Sequence, residues 1–453
     1  MELGHTSAPD QPASAARSIK LNLRTSLVLQ AFNMISGLEL ARGLGLVHRG
    51  QLAAAVLWPT VIGAIATIGL QESMTYHVAR EPRNAGTLLG SGLTLCAIQS
   101  VAFTIITLIA VPVALGRHDA ATITSASIYS AYVSINVFGL ALSGTLNGLH
   151  RYGFYNAALL STGASVVICQ TVLLALGFFS VRVLVIAIIS CYLACLLFGA
   201  WLTRRANPGR LHIESSTIRR IFSYGLRSNI STTSSFLNQR LDQLVISAFL
   251  SASQLGLYVV AITFTLFTPM VGMSIAVGAL PNIASLKMAS ERDLLARRLV
   301  SLTFVSSVLV SVPIIVLAPL LIKLFFGSAF AAGANITRVT AVASVSFSTT
   351  RSLEAVLRGV GHPLAAGMAE VVALCATAAS LAILLPLLGL IGAAWASLLA
   401  YTVSGAWMAW RIKVVTGVPP ARLLTPDHAM LQLLYARARY LSKRASRRLS
   451  SRA

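Results

Sequence analysis

Apolar residues in this chain run continuously over about 20 positions at a time, and short polar or basic segments separate the runs. About 20 apolar residues is the length that an α-helix needs to cross the hydrocarbon core of a bilayer. Continuous runs also lack the alternation of apolar and polar positions that is typical of a transmembrane β-strand. We therefore predict an all-α polytopic membrane protein with twelve spanning helices. The predicted spans are residues 22–41, 50–79, 86–115, 121–148, 155–179, 182–203, 223–249, 254–283, 296–326, 332–357, 364–388 and 390–412.

Short sequence matches divide the predicted spans into two halves of six. The matched pairs are Gly199-Ala-Trp201 with Gly405-Ala-Trp407, Leu146-Asn-Gly148 with Leu357-Arg-Gly359, and Leu23-Arg-Thr-Ser26 with Leu226-Arg-Ser-Asn229. Their offsets are nearly equal, which indicates a parallel repeat related by an axis along the membrane normal. The predicted organisation is a cytoplasmic N-terminal segment (1–20), a six-helix bundle (21–203), a cytoplasmic linker (204–220), a second six-helix bundle (221–415) and a basic cytoplasmic tail (416–453).

The charge of the chain agrees with this class. Charged residues make up 11% of the chain and hydrophobic residues 56%, whereas a soluble domain carries about 25% charged residues. The net charge of +22 is of the kind that nucleic-acid-binding proteins carry, but its distribution argues against such a partner, because the basic residues gather in alternate loops and in the tail. That distribution follows the positive-inside rule and predicts that both termini are cytoplasmic.

The tail leaves the predicted membrane region at about Pro419. Apolar residues from Met430 to Leu441 recur at helical spacing among arginines and lysines. One interpretation is an amphipathic segment that binds anionic lipids of the inner leaflet. The alternative is a disordered basic tail, which is favoured by Arg437 because this residue interrupts the apolar stripe.

Two full charges, Arg240 and Asp242, fall inside the seventh predicted span. An ionisable residue at such a position is by default a functional-site hypothesis. Residues two positions apart on a helix point to nearly opposite faces, so the two charges need different partners. Asn238 shares a face with Asp242. The open alternatives are a structural interhelical ion pair and a role in a hydrated transport cavity.

Arg24 and Arg227 occupy equivalent positions near the cytoplasmic ends of the first span of each half. Under a twofold repeat they would face one another across the central axis. The alternative is that both side chains snorkel to the inner membrane interface, as long basic side chains near a helix end do readily.

The remaining intramembrane charges are predicted to be coupling or structural groups. Arg351 and Glu354 stand at i and i+3, where they can pair on one helix face, and Glu39 has the same spacing from Arg42. Glu72 and Glu370 have no neighbouring base in sequence. Each is predicted to be either a protonated core carboxyl or a proton-coupling site.

Nothing in the sequence indicates an enzyme. The eight histidines do not cluster, no spacing fits a Ser/His/Asp or metal-ligand set, and no Walker motif is present. The five cysteines lie in apolar runs without CxxC spacing, which is typical of small core residues. We expect no metal and no other cofactor.

Several short motifs follow one another at regular places in the chain. They are Arg49-Gly50 with Leu57-Trp-Pro59 and Gly69-Leu70, His77-Val-Ala-Arg80, Arg240-Leu-Asp242 with Gly256-Leu-Tyr258, Leu357-Arg-Gly359 with Gly361, and Gly389-Leu-Ile-Gly-Ala-Ala-Trp-Ala-Ser397. In this order they resemble the polysaccharide-biosynthesis flippases of the multidrug/oligosaccharidyl-lipid/polysaccharide exporter superfamily. The resemblance covers about residues 20–415.

The resemblance implies two six-helix bundles that form a V around a central cavity and work by alternating access. It also implies an undecaprenyl-pyrophosphate-linked oligosaccharide as substrate, moved from the cytoplasmic to the outer leaflet of a bacterial inner membrane for surface polysaccharide such as O-antigen or exopolysaccharide. A polysaccharide polymerase complex is a possible partner under this resemblance. Guanidinium groups are the preferred ligands of phosphate oxygens. Arg24, Arg227 and Arg240, with Asn238, are therefore the predicted substrate-binding residues.

Two other functions stay open. An ion-coupled drug or organic-cation antiporter of the same superfamily would need acidic residues in its cavity, whereas the candidate cavity charges here are mainly basic. A membrane polymerase or ligase of lipid-linked sugars would need a large outer loop with paired catalytic residues, and the sequence contains no such loop.

Overall fold

A computed structural model describes residues 11–269 and 289–425, with side chains described for 24–229, 232–269, 293–362 and 364–425. The predicted tail beyond residue 425 and the part of the eighth predicted span beyond residue 269 lie outside the described residues. Within the described ranges the chain is helical and contains no β-strand.

Fifteen α-helices are numbered here in chain order over the described residues. They are α1 (Gln11–Ala66), α2 (Leu70–Arg80), α3 (Ala85–Ala114), α4 (Ala120–Tyr129), α5 (Ala131–Gly148), α6 (Tyr152–Ala175), α7 (Val181–Arg205), α8 (Ser215–Asn238), α9 (Leu241–Phe249), α10 (Ala252–Ala261), α11 (Ala289–Phe326), α12 (Ala334–Gly359), α13 (Pro363–Leu388), α14 (Leu390–Thr416) and α15 (Pro420–Leu424). Short 3₁₀ segments lie at Pro82–Asn84, Phe264–Leu266 and Ser328–Gly333.

Nine helical stretches of the described chain are long and apolar enough to cross a membrane. They confirm the prediction of an all-α, multi-pass membrane protein. The arrangement of twelve spans in two bundles stays a prediction. The first two predicted spans fall largely within one such stretch, Arg24–Arg80. The predicted spans 223–249 and 332–357 fall on helices α8, α9 and α12, of which α8 and α12 are rich in polar residues.

Several predicted spans are interrupted by breaks in the helical geometry. α1 departs from it at Gly45 (φ 71°), inside the predicted loop between residues 41 and 50. The predicted span 50–79 breaks at Ile68 and Gly69, which both have positive φ, and the predicted span 223–249 breaks at Gln239 and Arg240. Glycine adopts positive φ without the steric cost that a Cβ brings, so the breaks at positions 45 and 69 follow from the residue type.

The described contacts group the chain into two compact units. The first comprises Met1–Thr263 and Ile322–Gly333, and the second comprises Phe264–Leu321 and Ala334–Ala453. Helices α8, α9 and α10 thus belong with the helices that precede them. The predicted bundles at 21–203 and 221–415 stay a prediction drawn from the sequence repeat.

Each unit has a core of buried aliphatic side chains. In the first unit Leu70 and Met74 of α2 pack with Leu88 of α3 and Val137 of α5. In the second unit Leu353, Val356 and Leu357 of α12 pack with Ala369 of α13 and Met408 of α14. Close packing of this kind, rather than a hydrophobic force, holds helices together in lipid.

Paired glycines bring helix backbones of the first unit into direct contact. A Cβ at Gly50 would lie 1.7 Å from the Ala252 carbonyl oxygen, and a Cβ at Gly256 would lie 2.3 Å from the Leu46 oxygen. This first crossing joins α1 to α10. A second joins the α1–α2 turn to α8, because a Cβ at Gly69 would lie 2.3 Å from the oxygen of Gly225. Small residues at helix crossings permit such close approach.

The predicted cytoplasmic linker lies against α3. A Cβ at Gly86 would lie 2.2 Å from the Arg210 oxygen, and a Cβ at Gly90 would lie 2.4 Å from the His212 oxygen. Ser91 Oγ accepts a hydrogen bond from the Glu214 backbone N–H at 3.0 Å. The linker therefore packs on the first unit instead of forming a loose tether.

An ion pair beside this linker joins the start of α8 to the end of α2. Arg220 Nη1 lies 2.8 Å from Glu81 Oε1, and the Asn84 amide donates to Glu81 Oε2 at 3.3 Å. The hydrogen bond from Asn84, followed by the Arg220 guanidinium, lowers the pKa of the Glu81 carboxyl below its usual value. Glu81 is consequently ionised and available to pair at neutral pH.

The first crossing generates a prediction about stability. We expect Gly50→Val to lower the thermal unfolding midpoint of the detergent-solubilised protein, because the new side chain overlaps a backbone carbonyl; overpacking typically costs about 1–3 kcal/mol. Gly153→Val is the matched control, since a Cβ at Gly153 would meet no atom within 4 Å. Equal unfolding midpoints for the two variants would contradict the crossing.

Candidate functional site

Arg240 stands at the junction between two helices of the first unit. α8 ends at Asn238 and α9 begins at Leu241, so Arg240 is the residue that precedes the first turn of α9. Its half-buried side chain donates a hydrogen bond to Gln243 Oε1 at 3.3 Å and lies 6.0 Å from the centroid of the Phe236 ring. The unpaired backbone N–H groups at a helix N-terminus and a guanidinium both attract anions. The junction is therefore suited to an anionic ligand.

Asp242 points to a different partner, as its position two residues from Arg240 predicts. Its carboxylate is buried, with 9% of the residue exposed. Asp242 Oδ2 accepts a hydrogen bond from the hydroxyl of Tyr258 at 2.5 Å, and Oδ1 accepts from the Gln243 backbone N–H at 2.7 Å. These contacts tie α9 to α10, which supports a structural role for Asp242. Asp242 and Tyr258 belong to two sequence motifs that the fold brings together.

The other end of α9 is held by residues that the sequence reasoning missed. Trp58 Nε1 donates to Ser247 Oγ at 3.0 Å. His118 Nε2 lies 2.7 Å from the Ser247 carbonyl oxygen, and Arg117 Nη1 donates to the Phe249 carbonyl at 3.2 Å. The last carbonyls of a helix lack intrahelical partners, so donors from the α3–α4 turn satisfy them. The one sequence signal was the place of Trp58 in a motif.

A group of tyrosines lies near Arg240 and was also missed. The rings of Tyr129 and Tyr132 stack at 5.3 Å, and the ring of Tyr192 lies 5.5 Å from that of Tyr132. Tyr132 OH donates to Asn136 Oδ1 at 3.4 Å, and the Asn136 amide donates to the Gly63 carbonyl at 3.3 Å. Tyr132 also packs against Gly63 of α1, and the adjoining stretch of α1 packs with Phe236, whose ring lies near the Arg240 guanidinium.

The other predicted substrate-binding residues lie on α1 and α8. Arg24 and Arg227 are exposed, and neither has a hydrogen bond or ion pair within the described part of the chain. Asn238 is buried, with 5% of the residue exposed, and it is engaged in a contact. Two of the three predicted arginines are thus free to meet a ligand, while Asn238 is part of the protein interior.

Four charges of the second unit form one cluster. Arg351 Nη1 lies 2.8 Å from Glu354 Oε2 and 3.1 Å from Glu370 Oε1, and Arg358 Nη2 lies 2.5 Å from Glu354 Oε1. The predicted pair of Arg351 and Glu354 is confirmed. Glu370 has a base after all, which local spacing could not reveal because Arg351 is on another helix. With two arginines and two glutamates, the cluster balances its own charge.

The prediction that Glu39 and Arg42 pair with each other is wrong. Glu39 Oε1 accepts from the Thr171 hydroxyl at 2.5 Å. Arg42 donates to the carbonyls of Leu324 and Phe325 at 2.6 and 2.7 Å. Those carbonyls belong to the last turn of α11, where free oxygens and the helix dipole favour a cation. Glu39 is left to bond a hydroxyl.

Glu72 is not a core carboxyl. It lies in the first turn of α2 with an exposed side chain, and it makes no hydrogen bond or ion pair with other described residues. Such an exposed position does not fit the predicted core carboxyl. Among the described residues no group of three or more His, Cys, Asp or Glu side chains is placed to hold a metal ion.

Comparison with known proteins identifies the sequence family of the chain and several solved structures that share its fold. The family model described as "Polysaccharide biosynthesis protein" matches residues 40–334, which confirms the family predicted from the motifs. No curated protein sequence matches the chain.

Several solved structures share its fold. An inward-facing multidrug resistance MATE family transporter of the MOP superfamily is 17% identical, with 88% of this chain and 99% of that chain covered and a TM-score of 0.71. Lipid II flippase MurJ in an inward closed conformation is 12% identical, with 88% of each chain covered and a TM-score of 0.72. A MOP superfamily transporter from Pyrococcus furiosus is 18% identical, with 89% and 96% covered and a TM-score of 0.62. At these identities the likeness concerns the fold.

The contact between Asp242 and Tyr258 generates a second prediction. We expect Tyr258→Phe to destabilise the protein by about 1–3 kcal/mol, because a buried carboxylate loses a donor. Thermal unfolding in detergent measures the effect. Tyr152→Phe is the control, since the hydroxyl of Tyr152 bonds the exposed His150. If Tyr258→Phe unfolds at the wild-type temperature, the bond does not hold α9 to α10.

The charge cluster generates a third prediction. Arg351→Leu should destabilise the protein by about 3–5 kcal/mol, since Glu354 and Glu370 are buried and each loses an ion-pair partner, while Glu354 keeps Arg358. Arg351→Leu combined with Glu370→Leu should recover part of the loss. A double-mutant cycle of unfolding midpoints measures the coupling. Strict additivity of the two substitutions would show that the residues do not interact.

Proposed function

Because this chain belongs to the polysaccharide biosynthesis protein family, we propose that it is a flippase for a lipid-linked oligosaccharide. Its substrate would be an undecaprenyl-pyrophosphate-linked oligosaccharide, moved by alternating access from the cytoplasmic to the outer leaflet. After it has reached the outer leaflet, the oligosaccharide would be used to assemble a surface polysaccharide such as O-antigen or exopolysaccharide. A solved structure of the same fold is that of a lipid II flippase, which supports a lipid-linked substrate.

The main support for an anionic substrate is that the basic candidate residues are mostly exposed, whereas most of the acidic candidates are engaged with partners inside the protein. Arg24 and Arg227 are exposed and unpaired within the described residues. Glu354 and Glu370 face arginines, and Asp242 faces Tyr258. Among these candidates the unpaired charge is therefore mainly positive, with Glu72 as the exposed carboxylate, and this balance favours a pyrophosphate over an organic cation.

Arg240 adds a third contact of the appropriate chemistry. Its one hydrogen bond within the described residues goes to the neutral amide of Gln243, and a charge-assisted bond to phosphate is about twice as strong as a bond between neutral groups. A pyrophosphate oxygen can thus replace Gln243 as the acceptor with a gain in free energy. Arg24, Arg227 and Arg240 would hold the headgroup while the sugar crosses.

The cellular setting belongs to the same proposal. The chain would be a multi-pass protein of a bacterial inner membrane with both termini in the cytoplasm. Its basic tail would contact anionic lipids of the inner leaflet, and a polysaccharide polymerase complex would receive the flipped substrate. No catalytic step is assigned to the chain itself.

An ion-coupled antiporter of drugs or organic cations is the second candidate. It draws support from the fold shared with a MATE family transporter and from the exposed carboxylate of Glu72. Glu72→Gln would abolish cation export if Glu72 binds or exchanges a cation. Under the flippase proposal, the same substitution should leave resistance to cationic drugs unchanged.

The flippase proposal generates a fourth prediction. In a strain that lacks the chromosomal gene, we expect Arg227→Ala and Arg240→Ala each to reduce surface polysaccharide by about tenfold or more, because each removes a phosphate contact worth roughly 1.5–3 kcal/mol. Lipid-linked intermediates should accumulate on the cytoplasmic leaflet. Arg24→Ala should behave alike, and Arg240→Lys should restore export in part, since lysine keeps the charge and loses the planar fork.

Arg219→Ala is the control for these variants, because Arg219 is an exposed arginine on the same helix as Arg227. It should export normally. If Arg227→Ala and Arg240→Ala both support normal export, these residues do not bind the headgroup. An unchanged pool of lipid-linked intermediates after gene deletion would remove the flippase proposal itself.

A further inference from the structure

A narrow cavity lies inside the first unit between α5, α6 and α7. Its volume is about 220 Å³. The α5 residues that line it extend from Tyr132 to Leu146, which is about four helical turns or roughly 20 Å along the helix axis. The cavity is therefore elongated along α5. We call it the α5–α7 slot.

The wall of the α5–α7 slot is mainly aliphatic. Leu140 of α5, Leu159 of α6 and Leu196 of α7 each contribute a face. Gly139 and Gly199 provide the width, because a Cβ added at either glycine would meet no atom within 4 Å. The space beside these two glycines is thus open to a side chain or to a ligand.

The polar side chains of the wall are largely engaged with the protein. Asn136 bonds Tyr132 and the Gly63 carbonyl. Thr162 Oγ1 donates to the Ala158 carbonyl at 3.1 Å, and Cys195 Sγ lies 3.3 Å from Ser165 Oγ. A sugar or a charged group loses its hydrogen bonds to water when it enters such a site, and this costs free energy unless new partners replace them. A hydrocarbon chain makes no hydrogen bonds to water and therefore loses none when it enters the slot.

One end of the α5–α7 slot lies beside the proposed headgroup site. Tyr132 lines the slot and packs against Gly63 of α1. The adjoining stretch of α1 packs with Phe236, whose ring centroid lies 6.0 Å from the Arg240 guanidinium. A ligand with a pyrophosphate at Arg240 can therefore place the adjoining part of its lipid along α5. Ligand pockets that enclose a whole drug-sized molecule measure about 300–1,000 Å³, so this smaller slot takes only a segment of a long chain.

Building on the flippase function proposed above, we propose that the α5–α7 slot binds a segment of the isoprenoid chain of the substrate. The chain would run along α5 toward Leu146, away from the pyrophosphate at Arg240. Under the predicted topology, α5 ends on the cytoplasmic side. The lipid would then be held in the orientation that it has after its headgroup has turned to the outer leaflet.

The slot selects by shape. Lipid tails are as apolar as leucine, so a chain that leaves the bilayer for the slot gains no hydrophobic free energy. The gain comes from van der Waals contact between a branched chain and the gaps at Gly139 and Gly199. Contacts of this type are individually weak and add up over many atoms, so filling the gaps should weaken binding several-fold.

Photolabelling of the full-length protein in nanodiscs tests the proposal. The probe is undecaprenyl pyrophosphate with a diazirine in the chain segment next to the pyrophosphate. In the wild type we expect labelled peptides from α5, α6 and α7. Gly139→Leu and Gly199→Leu place a side chain in the slot and should each reduce that labelling at least several-fold. Gly153→Leu, at an open position of α6 outside the slot lining, and Gly139→Ala should label as the wild type does.

A competition arm uses only the wild-type protein, so a variant that fails to fold does not decide the outcome. Unlabelled undecaprenyl phosphate should displace the label, and an excess of phosphatidylglycerol should not. Unchanged labelling in both folded leucine variants would overturn the proposal. Equal displacement by phosphatidylglycerol would also overturn it, because the site would then be an ordinary lipid contact.

A short-chain ligand separates this proposal from the function on which it rests. Binding of farnesyl pyrophosphate, whose short chain relies chiefly on the headgroup contacts, should weaken in Arg240→Ala and change little in Gly139→Leu. If the arginine variants bind and export normally while the leucine variants lose the label, the headgroup assignment fails and the slot stands. If the leucine variants keep the wild-type label while the arginine variants lose headgroup binding and export, the slot proposal fails and the flippase function stands.

Discussion

An ionisable side chain that leaves water must find a partner, and this constraint organises the polar interior of the protein. A charge at the centre of a bilayer costs about 2.5–3.5 kcal/mol even on lenient scales. Asp242 meets the cost through Tyr258. Glu354 and Glu370 meet it by sharing Arg351. Because these partners already exist within the protein, the exposed arginines stand out as the groups with capacity for a ligand.

Arg240 has a defined position because α9 is fixed at both of its ends. Tyr258 holds the N-terminal turn of α9 through Asp242, and Trp58 and His118 hold its C-terminal turn at Ser247. A binding group performs best when its support is rigid. The helix break thus places the arginine at the N-terminus of α9, while the contacts at both ends prevent the short helix from shifting.

The sequence was sufficient for whatever depends on local spacing or on composition. The spanning character of the helices, the family and the pair of Arg351 and Glu354 followed from apolar run length, motif order and the i, i+3 rule. Contacts between distant helices did not follow. Glu370 finds Arg351 on a neighbouring helix, and Trp58 bonds Ser247 of α9 across 189 residues. The pairing of Glu39 with Arg42 failed because a helix terminus competed for the guanidinium.

The glycine crossing of α1 and α10 also limits how this sequence can change during evolution. A side chain at Gly50 or Gly256 would collide with a backbone carbonyl, not with another side chain. A clash between side chains can be relieved by a smaller residue on the opposite helix, whereas a carbonyl oxygen is present whatever that residue is. A lineage that loses either glycine therefore has no single compensating substitution across the contact and must move a whole helix to recover.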